Sequence, residues 1–275
     1  MRSYKEQTID TKIVNALKDL KLSEKALKAA KLITTDEEIQ VFQEYANNVS
    51  IVRLGYNDHG PVHMRTVVRN GIVMMGLLRQ AGIKTSLETE GVGSFEDSLI
   101  GVMLAAMLHD LGMSIGRQDH EIHSAYLAAP ILDRLLSAIY PKGSQDSLRK
   151  RVMIRSLALE GISGHMGTRS IYSLEAGVIQ VADGCDMTKG RARIPMALNL
   201  APKVGDIHQY SANSIDAVKL SRGQEHPIRI EVLMSSEVGF FQVEEVLLAK
   251  IAASTAKPYI ELYAQVQGGE PKRYL

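Results

Sequence analysis

The sequence predicts a mainly α-helical domain followed by a small α+β module of ββαβ type. Three observations carry this reading. Over roughly the first 200 residues, apolar side chains recur every three to four positions, the period of a helix with one buried face. After about residue 204 the period shortens to two, as in a strand with one face inward. The chain has 275 residues with 45% hydrophobic content, enough for one large domain and a small companion. The expected division is 1–56 for an N-terminal helical segment packing on the core, 57–203 for the core itself and 204–275 for the small module.

Residues 8–50 read as helices. Ile9, Ile13, Leu17 and Leu20 fall at helical spacing, and Thr35 with Glu38 forms a capping box ahead of Val41, Phe42 and Tyr45. Either a lid or a contact between two copies of the chain would use such helices. The next helix starts at Gly60-Pro61, because proline suits a first helical turn, and runs to about Gly82. Its inward stripe is Val67, Gly71, Met74 and Leu78, with His63 one turn ahead of Val67 on the same face. Leu99, Val102, Met103 and Ala106 form another stripe that Asp110 prolongs, with His109 to one side. Further helical patterns cover about 119–139, 146–163 and 171–188, the last apolar around most of its circumference and therefore central. In the C-terminal part, Ser214–Leu220, Ile228 to Met234 and Ile260 to Val266 read as strands, and Phe240 to about Thr255 as a helix.

Composition excludes several classes. With 32 basic and 31 acidic residues, there is no global attraction to nucleic acid, which is not an expected partner. The longest apolar run, LIGVMLAAML, falls well short of the about 20 residues that span a bilayer, so no membrane partner is expected. The single cysteine, Cys185, rules out an internal disulfide and a cysteine zinc cluster and fits a reducing cytoplasm. The opening MRSYKEQTID is charged and has no signal-peptide core, which again points to the cytoplasm.

The chemistry-bearing residues are polar groups at buried positions. His109-Asp110 closes the apolar run from Leu99, and an imidazole beside a carboxylate there is costly unless both are satisfied. A divalent cation satisfies both. His63, His109, Asp110, His165 and Asp183 are the candidate ligands, with a sixth from His120 or His123. Mixed imidazole and carboxylate donors suit Zn, Fe, Mn, Ni or Co, with Mg also admissible, better than a calcium cage. Two metals sharing a bridging carboxylate would activate water for attack on phosphorus, with Asp110 as the catalytic carboxylate.

These segments resemble the HD superfamily of metal-dependent phosphohydrolases. The matching phrases are HMRTVV from His63, AAMLHDLGMS with His109-Asp110, and VIQVADGCD with Asp183. The resemblance implies that those four residues bind a first metal and that Asp110 bridges to a second. Val67, at the family's apolar position, favours His63 over His59. HEIHSA from His120, with Ser124 as the small residue, is similar to the phrase carrying a second-metal histidine, and His123 is the second choice there. His165, eighteen residues before Asp183, supplies the other. This layout looks like that of the HD-type bacterial diadenosine tetraphosphate hydrolases. It departs from the HD-GYP cyclic dinucleotide phosphodiesterases, since Met113 stands where they carry lysine and no GYP segment follows.

Five cations are candidate phosphate contacts: Arg117, Arg169, Lys189, Arg191 and Arg193. The expected partner is a phosphorylated small molecule, a nucleotide, with a homo-oligomer a further expectation. Asp186 would orient a ligand or cap its helix, Glu160 would carry protons near His165, and His59 would face the substrate or support a ligand. The C-terminal module shows no catalytic motif. Two rivals stand beside this reading. One is an HD-type di-iron oxygenase, which uses the same six-ligand set. The other is a regulatory module that binds a nucleotide without cleaving it, whose usual sign is loss of a ligand, whereas the four core ligands are all present here.

Overall fold

The structure, a computed structural model, describes residues 2–189 and 207–275, without the side chains of 207–209. Arg191 and Arg193 lie outside the described residues.

Three helices open the chain: α1 (Tyr4–Asp19), α2 (Glu24–Thr35) and α3 (Glu37–Asn48). Ser3 and Glu6 form a capping box at α1. At α3 the cap is Asp36, whose Oδ1 accepts from Ile39 N at 3.1 Å, and Thr35 belongs to the last turn of α2 instead. A carboxylate satisfies a free N–H and also meets the positive end of the helix dipole, which a threonine hydroxyl does not. The buried face of α3 is Ile39, Gln43 and Ala46, so Val41 and Tyr45 stay exposed.

Rather than forming a lid, these helices contribute Ile9, Ile13, Leu17, Ala29, Ile33 and Ile39 to the main hydrophobic core. Each such isoleucine or leucine side chain, fully buried, is worth about 1.5–3 kcal/mol relative to exposure. One buried cation fastens them: Arg65 bonds Asp10 at 3.0 Å, the Thr34 carbonyl at 3.2 Å and Gln40 at 3.1 Å.

The core helices are α4 (Pro61–Gln80), the single turn α5 (Ser86–Thr89), α6 (Phe95–Leu108), α7 (His120–Ile139), α8 (Gln145–Gly164) and α9 (Leu174–Gly184). All eleven residues of α9 are buried, as its all-round apolar pattern predicts. In α6 every residue but Glu96 is buried, so two helices share the centre. No helix among the described residues is long and apolar enough to cross a membrane.

The C-terminal module has four strands in the order β1-β2-β3-β4: Ile215–Arg222, Ile228–Met234, Ile260–Val266 and Lys272–Arg273. Strands β1 and β2 are antiparallel, while β2 and β3 are parallel with Ile230 opposite Leu262. The crossover between β2 and β3 holds a helix with α turns at Gly239–Gln242 and Ala249–Ala252 and a π-helical stretch, Val243–Leu248, between them. The ββαβ order is therefore present, with one short strand added. This crossover lies along α9: Ser254 Oγ donates to the Gly177 carbonyl at 3.0 Å and Thr255 Oγ1 to the Ser173 carbonyl at 2.6 Å.

Candidate metal centre

Six side chains from distant parts of the chain converge in the buried middle of the helical core. His63 sits in the first turn of α4. His109 and Asp110 occupy the turn just past α6 rather than its last helical residues, so the apolar stripe delivers them without containing them. His120 opens α7, His165 follows the last residue of α8, and Asp183 stands near the end of α9. All six are at most 8% exposed.

The donor atoms fall into two groups with Asp110 between them. In the first, His63 Nε2 lies 3.2 Å from His109 Nε2, 3.2 Å from Asp183 Oδ1 and 3.4 Å from Asp110 Oδ2. His109 Nε2 is 3.3 Å from the same Asp110 oxygen. In the second, His120 Nε2 and His165 Nε2 stand 3.3 Å apart and lie 3.2 and 3.3 Å from Asp110 Oδ1. One oxygen of Asp110 thus faces each group.

The other ring nitrogens decide the tautomers. Nδ1 of His109, His120 and His165 faces the carbonyls of Ala106, Arg117 and Ile162 at 2.9, 2.9 and 2.7 Å, and Nδ1 of His63 faces Asp186 Oδ2 at 2.7 Å. Carbonyls and carboxylates only accept, so each Nδ1 carries a hydrogen and every Nε2 is turned inward as the ligand atom. Two pairs of Nε2 atoms and the oxygens of Asp110 and Asp183 then crowd together in a buried space, an arrangement that shared cations satisfy. The donor set therefore fits divalent metal ions. Of the two roles expected of Asp186, its contact with His63 is the one that orients a ligand.

The turn after the pair explains the small residue in HEIHSA. Ser124 Oγ accepts from Gly112 N at 2.8 Å, locking α7 against the 109–112 turn. A Cβ on Gly112 would lie 2.0 Å from the His120 carbonyl oxygen, so only glycine lets His120 approach this closely.

The model of the HD domain family matches residues 74–188, a stretch that holds five of the six converging residues. The uncharacterized protein MJ1020 of Methanocaldococcus jannaschii is 42% identical over 236 residues, 86% of this chain and 87% of the relative. The chain belongs to the HD superfamily of metal-dependent phosphohydrolases. No solved structure matches the chain significantly.

Beside the HD residues lies a cavity of about 490 Å³, reached by Asp110, His165, Asp183 and Asp186. Asn57 and His59 line it from the loop before α4, and His59 Nδ1 is within 2.9 Å of Ser50 Oγ. Of the three described candidate cations, the structure brings Arg117 to this cavity. Arg169 instead faces Asp119 and Glu121, both at 3.8 Å, and Lys189 bonds Asp216 at 2.7 Å. Neither lines the cavity, because carboxylates nearer in the fold claim them. The Oε1 of Glu160 accepts from Tyr172 N and Ser173 N at the start of α9. His123 stands apart from the cluster that His120 joins, its Nδ1 buried without a hydrogen-bond partner among the described residues.

Sequence reasoning missed Lys250. This lysine of the C-terminal module is 8% exposed, and its Nζ donates to Asp183 Oδ2 and, at 3.0 Å, to the His165 carbonyl. The module is thus part of the HD site's surroundings.

Burial raises the carboxyls of Asp110 and Asp183, but the facing charges outweigh it and hold both well below the ordinary range. For Asp110 these come from His109 and for Asp183 from Lys250. Burial also lowers His109, yet Asp110 and Asp183 overcome it and bring it up to about 9, while His165 is pushed down to about 4 by burial. A raised histidine stabilises the fold fully below its ordinary 6.5 and loses that contribution as pH rises through about 9. Metal uptake needs the same nitrogen deprotonated. At pH 7.5 we therefore expect binding to release about one proton per chain from His109, falling toward none above pH 9. Calorimetry in buffers of differing ionisation enthalpy measures this, and no release at pH 7.5 would contradict it.

Proposed function

We propose that the protein hydrolyses a phosphoester or phosphoanhydride bond of a small phosphorylated molecule, a nucleotide, with water activated at one or two divalent transition-metal ions, in a reducing cytoplasm. The observation that carries this is Asp110, whose two oxygens each face a separate histidine group. His63, His109 and Asp183 would hold one ion, His120 and His165 the other, and Asp110 both. Bound there, the ions would supply a nucleophilic water at neutral pH and positive charge for the phosphoryl oxygens.

The chain's own groups do the rest. Asp186 and the three carbonyls keep the imidazoles in one orientation, so little reorganisation accompanies the reaction. Arg117 in the cavity offers a guanidinium fork to phosphate oxygens. The cavity's size suits a nucleotide-sized ligand. No serine or cysteine nucleophile is required, and the one cysteine is buried.

The test is a screen of protein loaded with Mn, Fe, Zn, Ni, Co or Mg against nucleotides and model phosphoesters. Metal-dependent phosphate release that a chelator abolishes is expected. A fully loaded protein that cleaves none of them would reject the reading. Oxygen consumption by the iron form would replace it with the oxygenase.

A further inference from the structure

We propose that Lys250 is a phosphoryl-binding residue, and that through it the C-terminal module forms the substrate-facing wall of the metal cavity. This rests on the hydrolytic reading above and extends it to a part of the chain outside the family match, which ends at residue 188.

The crossover helix turns one face to the cavity. Gln242, Glu245, Val246, Ala249 and Lys250 line it, spaced by three, four, seven and eight residues from the first, as one side of a helix requires. The π-helical stretch Val243–Leu248 falls inside this segment. π-Helical turns are rare and are found frequently at functional sites.

Lys250 comes closest to the ligands. An ammonium group has three N–H donors. Two are taken, by Asp183 Oδ2 and the His165 carbonyl, which tie it to the ends of α9 and α8. Its stem passes close over Gly184, where a Cβ would lie 3.2 Å from Lys250 Cδ, so the glycine leaves the space that the lysine stem occupies. One donor remains, on a group that lines the cavity beside Asp110 and Asp183. A fixed positive charge there, desolvated by burial, meets an anionic ligand without ordering cost. With Arg117, it makes up the lysine and arginine side chains that line the cavity among the described residues.

The alternative is that Lys250 serves only to hold Asp183. The two roles part when metal content and anion affinity are read separately. Lys250→Met and Lys250→Arg are loaded with Mn²⁺, metal is counted by elemental analysis, and binding of inorganic phosphate is measured by calorimetry. Loss of one charge-assisted hydrogen bond corresponds to about tenfold or more in affinity. We expect Lys250→Met to carry as much metal as the wild type and to bind phosphate at least about tenfold more weakly, with Lys250→Arg recovering most of the affinity. Unchanged phosphate affinity in Lys250→Met overturns the proposal, as does a loss of affinity that follows a loss of metal. Wild-type protein that holds metal but neither binds phosphate nor cleaves any phosphoester defeats the hydrolytic reading, and the Lys250 proposal with it. Wild-type turnover with Lys250→Met unaffected defeats the Lys250 proposal alone. Should Lys250→Met not fold, a crystal structure of the wild type with phosphate decides: Nζ within about 3 Å of a phosphate oxygen supports the contact, and a phosphate seated elsewhere in the cavity overturns it.

Discussion

Asp110→Ala is expected to strip both halves of the metal centre and to lower turnover by at least about a thousandfold, since outer-sphere partners alone are worth about 10–100-fold. The reason is geometric. Asp110 Oδ2 stands 3.4 and 3.3 Å from the Nε2 atoms of His63 and His109, and Oδ1 stands 3.2 and 3.3 Å from those of His120 and His165. Without it, the second group keeps two imidazoles and no anion, while the first keeps His63, His109 and Asp183. His165→Ala removes one donor from the second group only. The expected order of metal content is therefore wild type, then His165→Ala with one ion, then Asp110→Ala with the least. Elemental analysis after loading and dialysis measures that order. Full occupancy in Asp110→Ala, or equal losses in the two variants, would show that the carboxylate does not bridge.

The contrast between legible and hidden residues has a physical basis. His63, the 109–110 pair, His120, His165 and Asp183 were legible because each sits at a helix end, where a short local phrase sets the side chain's direction. Proline at the start of α4 places His63, Gly112 with Ser124 places His120, and the apolar run of α6 delivers the pair. Lys250 was not legible, for its only local mark is a lysine in an amphipathic helix, the usual place for a solvated charge. Its role appears only when the crossover packs on α9. The same reason misplaced Arg169 and Lys189, whose carboxylate partners Asp119, Glu121 and Asp216 come from other segments. At the Thr35–Asp36 boundary the motif pointed one residue early, since two capping residues stood side by side and the stronger acceptor took the end of α3. Helix existence followed from periodicity, while ion-pair partners follow from tertiary contact.

Arg65→Met is expected to destabilise the fold by about 3–5 kcal/mol, a large part of the about 5–15 kcal/mol that holds a typical domain together. The guanidinium is 1% exposed and lies where α1, α2, α3 and α4 meet. It bonds Asp10 at 3.0 Å, the carbonyls of Thr34 and Pro61 at 3.2 Å and the amide oxygens of Gln40 and Gln43 at 3.1 and 3.4 Å, with Glu6 3.5 Å away. Methionine fills the stem's volume but leaves two carboxylates and several acceptors without their cation, and burial then works against both charges. Arg134, 47% exposed on its side chain, also bridges two carboxylates, Asp36 and Glu38, and offers the control. Arg134→Met should cost at most about 1 kcal/mol, because water screens and replaces what is lost. Urea unfolding of the two variants separates them, and an Arg65→Met protein within 1 kcal/mol of the wild type would disprove the account.

The consequence reaches the metal centre by two routes. Arg65 and His63 share the first turns of α4 about 200° apart, one facing the N-terminal helices and the other the HD pair. Gln43, which accepts from Arg65, also donates its Nε2 to the Met107 carbonyl at 2.9 Å, two residues before His109. Loosening Arg65 should therefore weaken metal retention as well as stability, whereas Arg134→Met should leave retention as it is.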